Sequence, residues 1–134
     1  MMKNIRLIVG CLLIGISSTM PVKAAMASGT ATVQQVMQAY LMGLSDGDVT
    51  TLSGLIGGAM KERSYRLLTQ NTQYPQFLRT RYAGVVMTIE AMTQEGSNFA
   101  AEVRFDYPSS DSRTSIFTLS TVNGQWKIID EQLF

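Results

Sequence analysis

The chain contains no histidine and a single cysteine, Cys11. Without imidazole the commonest general base is missing, and so is the commonest metal-binding side chain. Cys11 stands in an N-terminal segment that reads as a leader. Once that segment is removed, no thiolate nucleophile, disulfide or thiolate metal site can be built. A phosphate-cradling glycine loop, a G-x-S-x-G turn and a calcium loop are also missing; Gly57-Gly58 reads as a helix stop. No internal repeat, low-complexity tract or linker divides the chain.

The leader is read from Met1–Ala27. Lys3 and Arg6 precede an apolar run over Leu7–Ile16, Pro21 breaks it, and Ala25-Met26-Ala27 forms a cleavage site, with Val22-Lys23-Ala24 as a second candidate. The run is too short to cross a bilayer as a stop-transfer helix. Ile8-Val9-Gly10-Cys11 has the form of a lipidation signal, but the apolar stretch continues past Cys11, so the cysteine falls in the wrong place. The expected product is a periplasmic or secreted chain over residues 28–134, without a membrane anchor once the leader is cut. It is one domain of ordinary size. Removing Lys3, Arg6 and Lys23 leaves eight basic against ten acidic residues, a net charge of −2. That balance gives no reason to expect a nucleic-acid partner. Lys61, Arg63, Arg66, Arg79 and Arg81 gather in one stretch and read as a solvated helical face.

Val85–Phe134 alternates with period two. Phe99, Ala101, Val103, Phe105 and Tyr107 point one way, and Ala100, Glu102, Arg104 and Asp106 the other. Val85, Met87, Ile89 and Ala91 share a face of the preceding strand. Asn123-Gly124 between two strand-like runs predicts a two-residue hairpin with both turn residues at positive φ. Its register sets Val122 opposite Gln125, Thr121 opposite Trp126, Leu119 opposite Ile128 and Phe117 opposite Asp130. Phe117, Leu119, Thr121, Trp126, Ile128 and Asp130 then share the face expected to be buried. Asp130 on that face needs a partner, and Arg79 or Arg81 is a candidate.

Ahead of the strands the spacing is helical. Thr32-x-x-Gln35 forms a capping box, followed by Val33, Val36, Met37, Tyr40, Leu41 and Leu44 on one stripe, with Gln34, Gln35 and Gln38 opposite. Asp48 is a fitting N-cap for a second helix through Leu52, Leu55 and Ile56. A third is expected over Ala59–Thr69 and a fourth over Pro75–Tyr82. Helices followed by an antiparallel meander define an α+β fold: N-terminal helices packed on a curved four-stranded sheet, forming a cone with an apolar pocket at its open end.

Tyr40-Leu41-x-x-Leu44-x-x-Gly47-Asp48-Val49 and Asn123-Gly124-Gln125-Trp126-Lys127-Ile128 with Asp130 resemble the NTF2-like, or cystatin-like, α+β barrel superfamily. The resemblance implies that cone over nearly all of residues 28–134. Members of the dehydratase and cyclase type use a His–Asp pair, which this chain lacks. Members of the ketosteroid isomerase type place a tyrosine where Tyr40 stands, with a carboxylate about two dozen residues on. Here that position is Ser64, so the set is incomplete.

The leading functional expectation is therefore a non-enzymatic binding module holding a small apolar ligand. Its pocket would be lined by Met37, Tyr40, Phe105, Phe117, Trp126 and Asp130, with no catalytic residue, metal or cofactor. The alternative is a structural or interaction domain, which forms a homodimer or joins an envelope assembly through the outer sheet face at Ile116, Thr118 and Ile129. A third reading is a lyase or isomerase using Tyr40 with Asp130.

Overall fold

Apolar residues recur at helical spacing before residue 85 and at strand spacing after it, and the chain folds along that division. A computed structural model describes residues 21–134; Met1–Met20 of the expected leader lie outside the described residues. Four helices come first: α1 (Pro21–Asp46), α2 (Val49–Leu55), α3 (Gly58–Thr69) and α4 (Tyr74–Arg81). Four strands follow: β1 (Val86–Glu95), β2 (Asn98–Asp106), β3 (Ser112–Val122) and β4 (Gln125–Leu133). They form one antiparallel sheet in the order β1-β2-β3-β4. The expected α+β class and meander are thus present.

Helix α1 does not begin at the Thr32 capping box; it runs unbroken from Pro21. Val22–Ala27 contains three alanines and a methionine, which are good helix formers, so nothing local stops the helix there. Val33, Met37, Tyr40, Leu41 and Leu44 form its buried stripe. Gln34 departs from the expected polar face: it is 3% exposed, and its Nε2 has no hydrogen-bond partner. The α1–α2 junction follows expectation. Asp48 accepts from the Thr51 amide at 3.1 Å and from the Thr51 hydroxyl at 2.6 Å, capping α2.

Both turn residues of the last hairpin have positive φ, 54° at Asn123 and 81° at Gly124. The register near the turn is the expected one: Val122 pairs with Gln125, Thr121 with Trp126 and Leu119 with Ile128. It then shifts. Thr118 pairs with Asp130 and Phe117 with Glu131, leaving Ile129 as a bulge. The expected Phe117–Asp130 pairing is corrected accordingly. The physical reason is that both Ile128 and Ile129 need cover. Ile128 is fully buried in the cone, while Ile129 packs beside Gly58 at the start of α3. A regular strand would send its following residue, Asp130, back into the core; the bulge sends Glu131 instead.

A second bulge at Glu90 corrects β1 in the same way. Met87 and Ile89 share the inner face as expected, opposite Phe105 and Val103, but the next inward position is Met92, opposite Ala101; Ala91, expected on that face, is exposed. On the outer face Glu90 and Asp106 both pair with Arg104, at 3.2 and 3.0 Å. The edge of β4 is covered by a parallel bridge between Ile56 and Ile128, with the Gly57 amide donating to the Ile128 carbonyl at 2.9 Å. The core lies between α1 and the inner face: Phe99, Ala101, Val103, Phe105, Phe117, Leu119 and Ile128 below, the α1 stripe above.

Candidate functional site

The inner face changes character towards the ends of β2 and β4 and the start of β3. The Phe117–Leu119 column, extended backwards by twos, reaches Ser115 and Arg113. Phe105 pairs with Arg113 on the neighbouring strand, and Tyr107 follows at the turn. That turn is held by the Tyr107 amide donating to the Asp111 carbonyl at 2.8 Å. On β4 the bulge presents Glu131 and then Leu133. Arg81 and Tyr82, where α4 ends, close the far side.

These eight residues line a half-open cavity of about 160 Å³. Its wall is partly aromatic. The Tyr82 and Phe105 ring centroids are 6.0 Å apart, and the Arg81 guanidinium carbon lies 5.8 Å from the Tyr82 ring and 5.7 Å from the Tyr107 ring. Two cation–π contacts of this kind hold an arginine in place without neutralising it. Deeper in, the Ser115 hydroxyl donates to Glu131 Oε2 at 2.9 Å. Burial pushes the Glu131 carboxyl above its ordinary range; the Ser115 bond and the Arg63 charge oppose that rise, and Asp130 adds to it. Tyr40 and Tyr74 are also raised, first by burial and then by the Glu131 charge. Tyr82 is raised chiefly by burial, with Arg81 beside it pulling the other way.

Of the six residues expected to line a pocket, Phe105 does so. Met37 and Phe117 are 0% exposed within the packed core, and Tyr40 stands edge-on to Phe117 with ring centroids 5.6 Å apart. Trp126 is partly buried against Phe99, at 5.4 Å. Asp130 faces outward, its side chain 41% exposed, and pairs at 3.3 Å with Arg63 rather than Arg79 or Arg81. The structure therefore does not bring Tyr40 and Asp130 together. Arg81, expected on a solvated face with its neighbours, is a lining residue. Ser115 and Arg113 were within reach of the sequence, since they continue the alternation of β3. Glu131 was not, because its placement depends on the bulge. The adjacent Ile128-Ile129 pair was the available signal.

Among the described residues there is no group of three or more His, Cys, Asp or Glu side chains placed to hold a metal ion. Among them, too, no helix is long and apolar enough to cross a membrane.

A helical layer on a curved four-stranded meander, open at one end, is the NTF2-like α+β fold. Solved structures agree. The chain is similar to an NTF2-like protein of unknown function from Shewanella baltica, with 16% identity over 87% of this chain and 98% of that one and a TM-score of 0.55. It is similar to an NTF2-like protein of unknown function from Silicibacter pomeroyi, with 12% identity over 81% and 98% and a TM-score of 0.55. A Campylobacter jejuni protein described as an NTF2-like transpeptidase gives 16% identity over 72% and 96% and a TM-score of 0.54. No protein-family model matches the sequence, and no curated protein matches it either. Likeness at this identity establishes the fold and leaves function to the site.

Proposed function

We propose that this chain is an exported, non-catalytic binding module that holds a small ligand at the open end of an NTF2-like cone. The observation that carries this reading is the cavity of about 160 Å³ between α4 and the ends of β2, β3 and β4. That is many times the roughly 10–15 Å³ that one water needs on the same measure, so a compact molecule has room there. Its lining combines Phe105, Leu133 and two tyrosine rings with four polar side chains, Arg81, Arg113, Ser115 and Glu131. A wholly apolar ligand would strip water from those four groups without replacing its hydrogen bonds. The ligand is accordingly read as amphipathic, apolar over part of its surface and polar where it meets the arginines. This revises the expectation of a purely apolar guest.

Export is supported by the composition of the leader and by the position of the core. Among the residues whose burial is described, the buried stripe of α1 starts at Val33, downstream of both cleavage sites, so excision leaves those core residues in place. The binding reading is tested by native mass spectrometry of the folded chain against a broad panel of small molecules. Adducts should form and should be lost on Leu133→Trp, which enlarges an exposed lining side chain at the mouth. No adduct from any chemical class, or adducts indifferent to Leu133→Trp, would overturn it.

A further inference from the structure

The charge balance of the cavity selects among ligands. Arg81 and Arg113 both line it, and among the described residues neither has a carboxylate within ion-pair distance. The one carboxylate in the lining, Glu131, bonds to a neutral hydroxyl instead. Arginine stays charged throughout the physiological range. The site thus carries two uncompensated cations beside an acid that is not engaged with either.

We propose that the site binds a small monocarboxylate, gripped by Arg81 and Arg113, with Glu131 protonated in the complex. The proposal rests on the binding reading above and names its ligand class. A cationic ligand is disfavoured because the aromatic faces that would receive it, Tyr82 and Tyr107, already flank the Arg81 guanidinium. An anion fits the arginines, whose planar forks match carboxylate geometry. Brought beside Glu131, the anion would meet a like charge unless Glu131 takes up a proton; then Glu131 becomes a hydrogen-bond donor to it. The ring or alkyl body of the ligand would pack on Phe105 and Leu133.

The groups around Glu131 permit this. Tyr40 from α1, and Tyr74 and Tyr82 from the α4 segment, are held neutral by burial, and Ser115 does not titrate. Arg63 from α3 and Asp130 on β4 act on Glu131 with opposite signs and are paired with each other on the outer face. Arg81 and Arg113 remain cations. Glu131 is therefore the carboxyl in the lining whose charge can follow ligand binding, with its midpoint raised above the ordinary carboxylate value by burial. In the balanced step, one carboxylate binds and, where free Glu131 is ionised, Glu131 takes up one proton from solvent. No bond to carbon is made or broken.

The test is calorimetric titration of the folded chain with benzoate, benzyl alcohol and benzylamine, which share a ring and differ in charge, at about pH 6 and about pH 8. Benzoate should bind more tightly at the lower pH, and the alcohol and amine should bind about tenfold more weakly or worse, the usual loss when a charge-assisted hydrogen bond is missing. Repeating the benzoate titration at the higher pH in buffers of different ionisation enthalpy should show net proton uptake. Arg113→Gln should weaken benzoate by about tenfold, and Glu131→Gln should leave benzoate binding but abolish its pH dependence and proton uptake. Preference for the amine, equal binding of the alcohol, or pH-independent binding by the native chain would overturn the proposal while leaving a binding pocket. Failure of benzoate to bind would also overturn it, and adducts in the mass-spectrometric panel would then show whether the binding reading itself survives.

Discussion

The Ser115 hydroxyl donates to Glu131 Oε2 at 2.9 Å, although the two residues are not opposite one another in the ladder. Ser115 pairs with Leu133, and Glu131 with Phe117. The contact is diagonal, and it depends on the Ile129 bulge having turned Glu131 to the inner face. Ser115 is itself 1% exposed, so the bond replaces water for a hydroxyl that would otherwise have no partner.

That placement predicts a pH dependence of stability. Glu131 binds its proton more readily folded than unfolded, so the folded chain holds more protons over a window starting near the ordinary carboxylate value of 4.5. Stability contributed by this group is full below that window and falls as pH rises through it. Asp48 and Asp106 are lowered by their hydrogen bonds, so their contributions are instead lost as pH falls below the ordinary range. Glu131→Gln keeps a partner for Ser115 and removes the ionisation. Thermal melts should show the variant gaining on the native chain at mildly basic pH and losing that advantage near pH 4.5. An equal effect at both ends would place Glu131 in water.

The inside and outside of the sheet can be separated by two truncations. Phe117→Ala removes a fully buried ring packed edge-on to Tyr40, and should cost about 3–5 kcal/mol in denaturant unfolding. Asp130→Ala breaks a half-exposed pair with Arg63 and should cost under about 1 kcal/mol. Comparable losses from the two would mean that Asp130, not Glu131, faces the core.

Periodicity carried most of the fold. The alternation of β2 survives unchanged from sequence to structure, since Phe99, Ala101, Val103 and Phe105 are all buried. Asn123-Gly124 fixed the pairing of the last hairpin as far as Leu119 and Ile128. What the pattern does not carry is a bulge, because one extra residue inverts every side chain beyond it. Ala91, Asp130 and Glu131 were affected for that reason, and Glu131 is the one that lines the site. Helix continuity through Thr32 was hidden because Thr32-x-x-Gln35 has the form of a helix start, whereas the helix runs through it. Arg81 looked like one more surface cation until the turn after β2 brought Tyr107 beside it.

The α1–α2 turn offers a stringent steric test. Gly47 has φ +66°, and a Cβ there would run into the Pro75 carbonyl oxygen. Gly47→Ala should cost about 2 kcal/mol or more, combining the left-handed penalty of about 1–2 kcal/mol with the overlap. Gly47→Asn should fare no better, although asparagine tolerates positive φ, because the overlap is with Cβ. At Gly124, also at positive φ but with nothing within 4 Å of a Cβ, asparagine should cost clearly less than alanine. Matching losses for Asn and Ala at Gly124 would contradict that division of causes.

The proposed export makes a separate prediction. Intact-mass measurement of envelope protein should find a chain that starts near Ala25 or Ser28. Retention of Cys11 carrying acyl chains would contradict both the cleavage reading and the net charge of −2.

The most direct test of a ligand site at the open end of the cone is an amide NMR titration of the folded chain with benzoate. Binding there should shift resonances of Phe105, Tyr107, Arg113, Ser115 and Glu131 together, with one saturation curve, leaving the outer-face positions Thr118 and Lys127 unmoved. Shifts confined to the outer face, or no saturable shift anywhere, would contradict it.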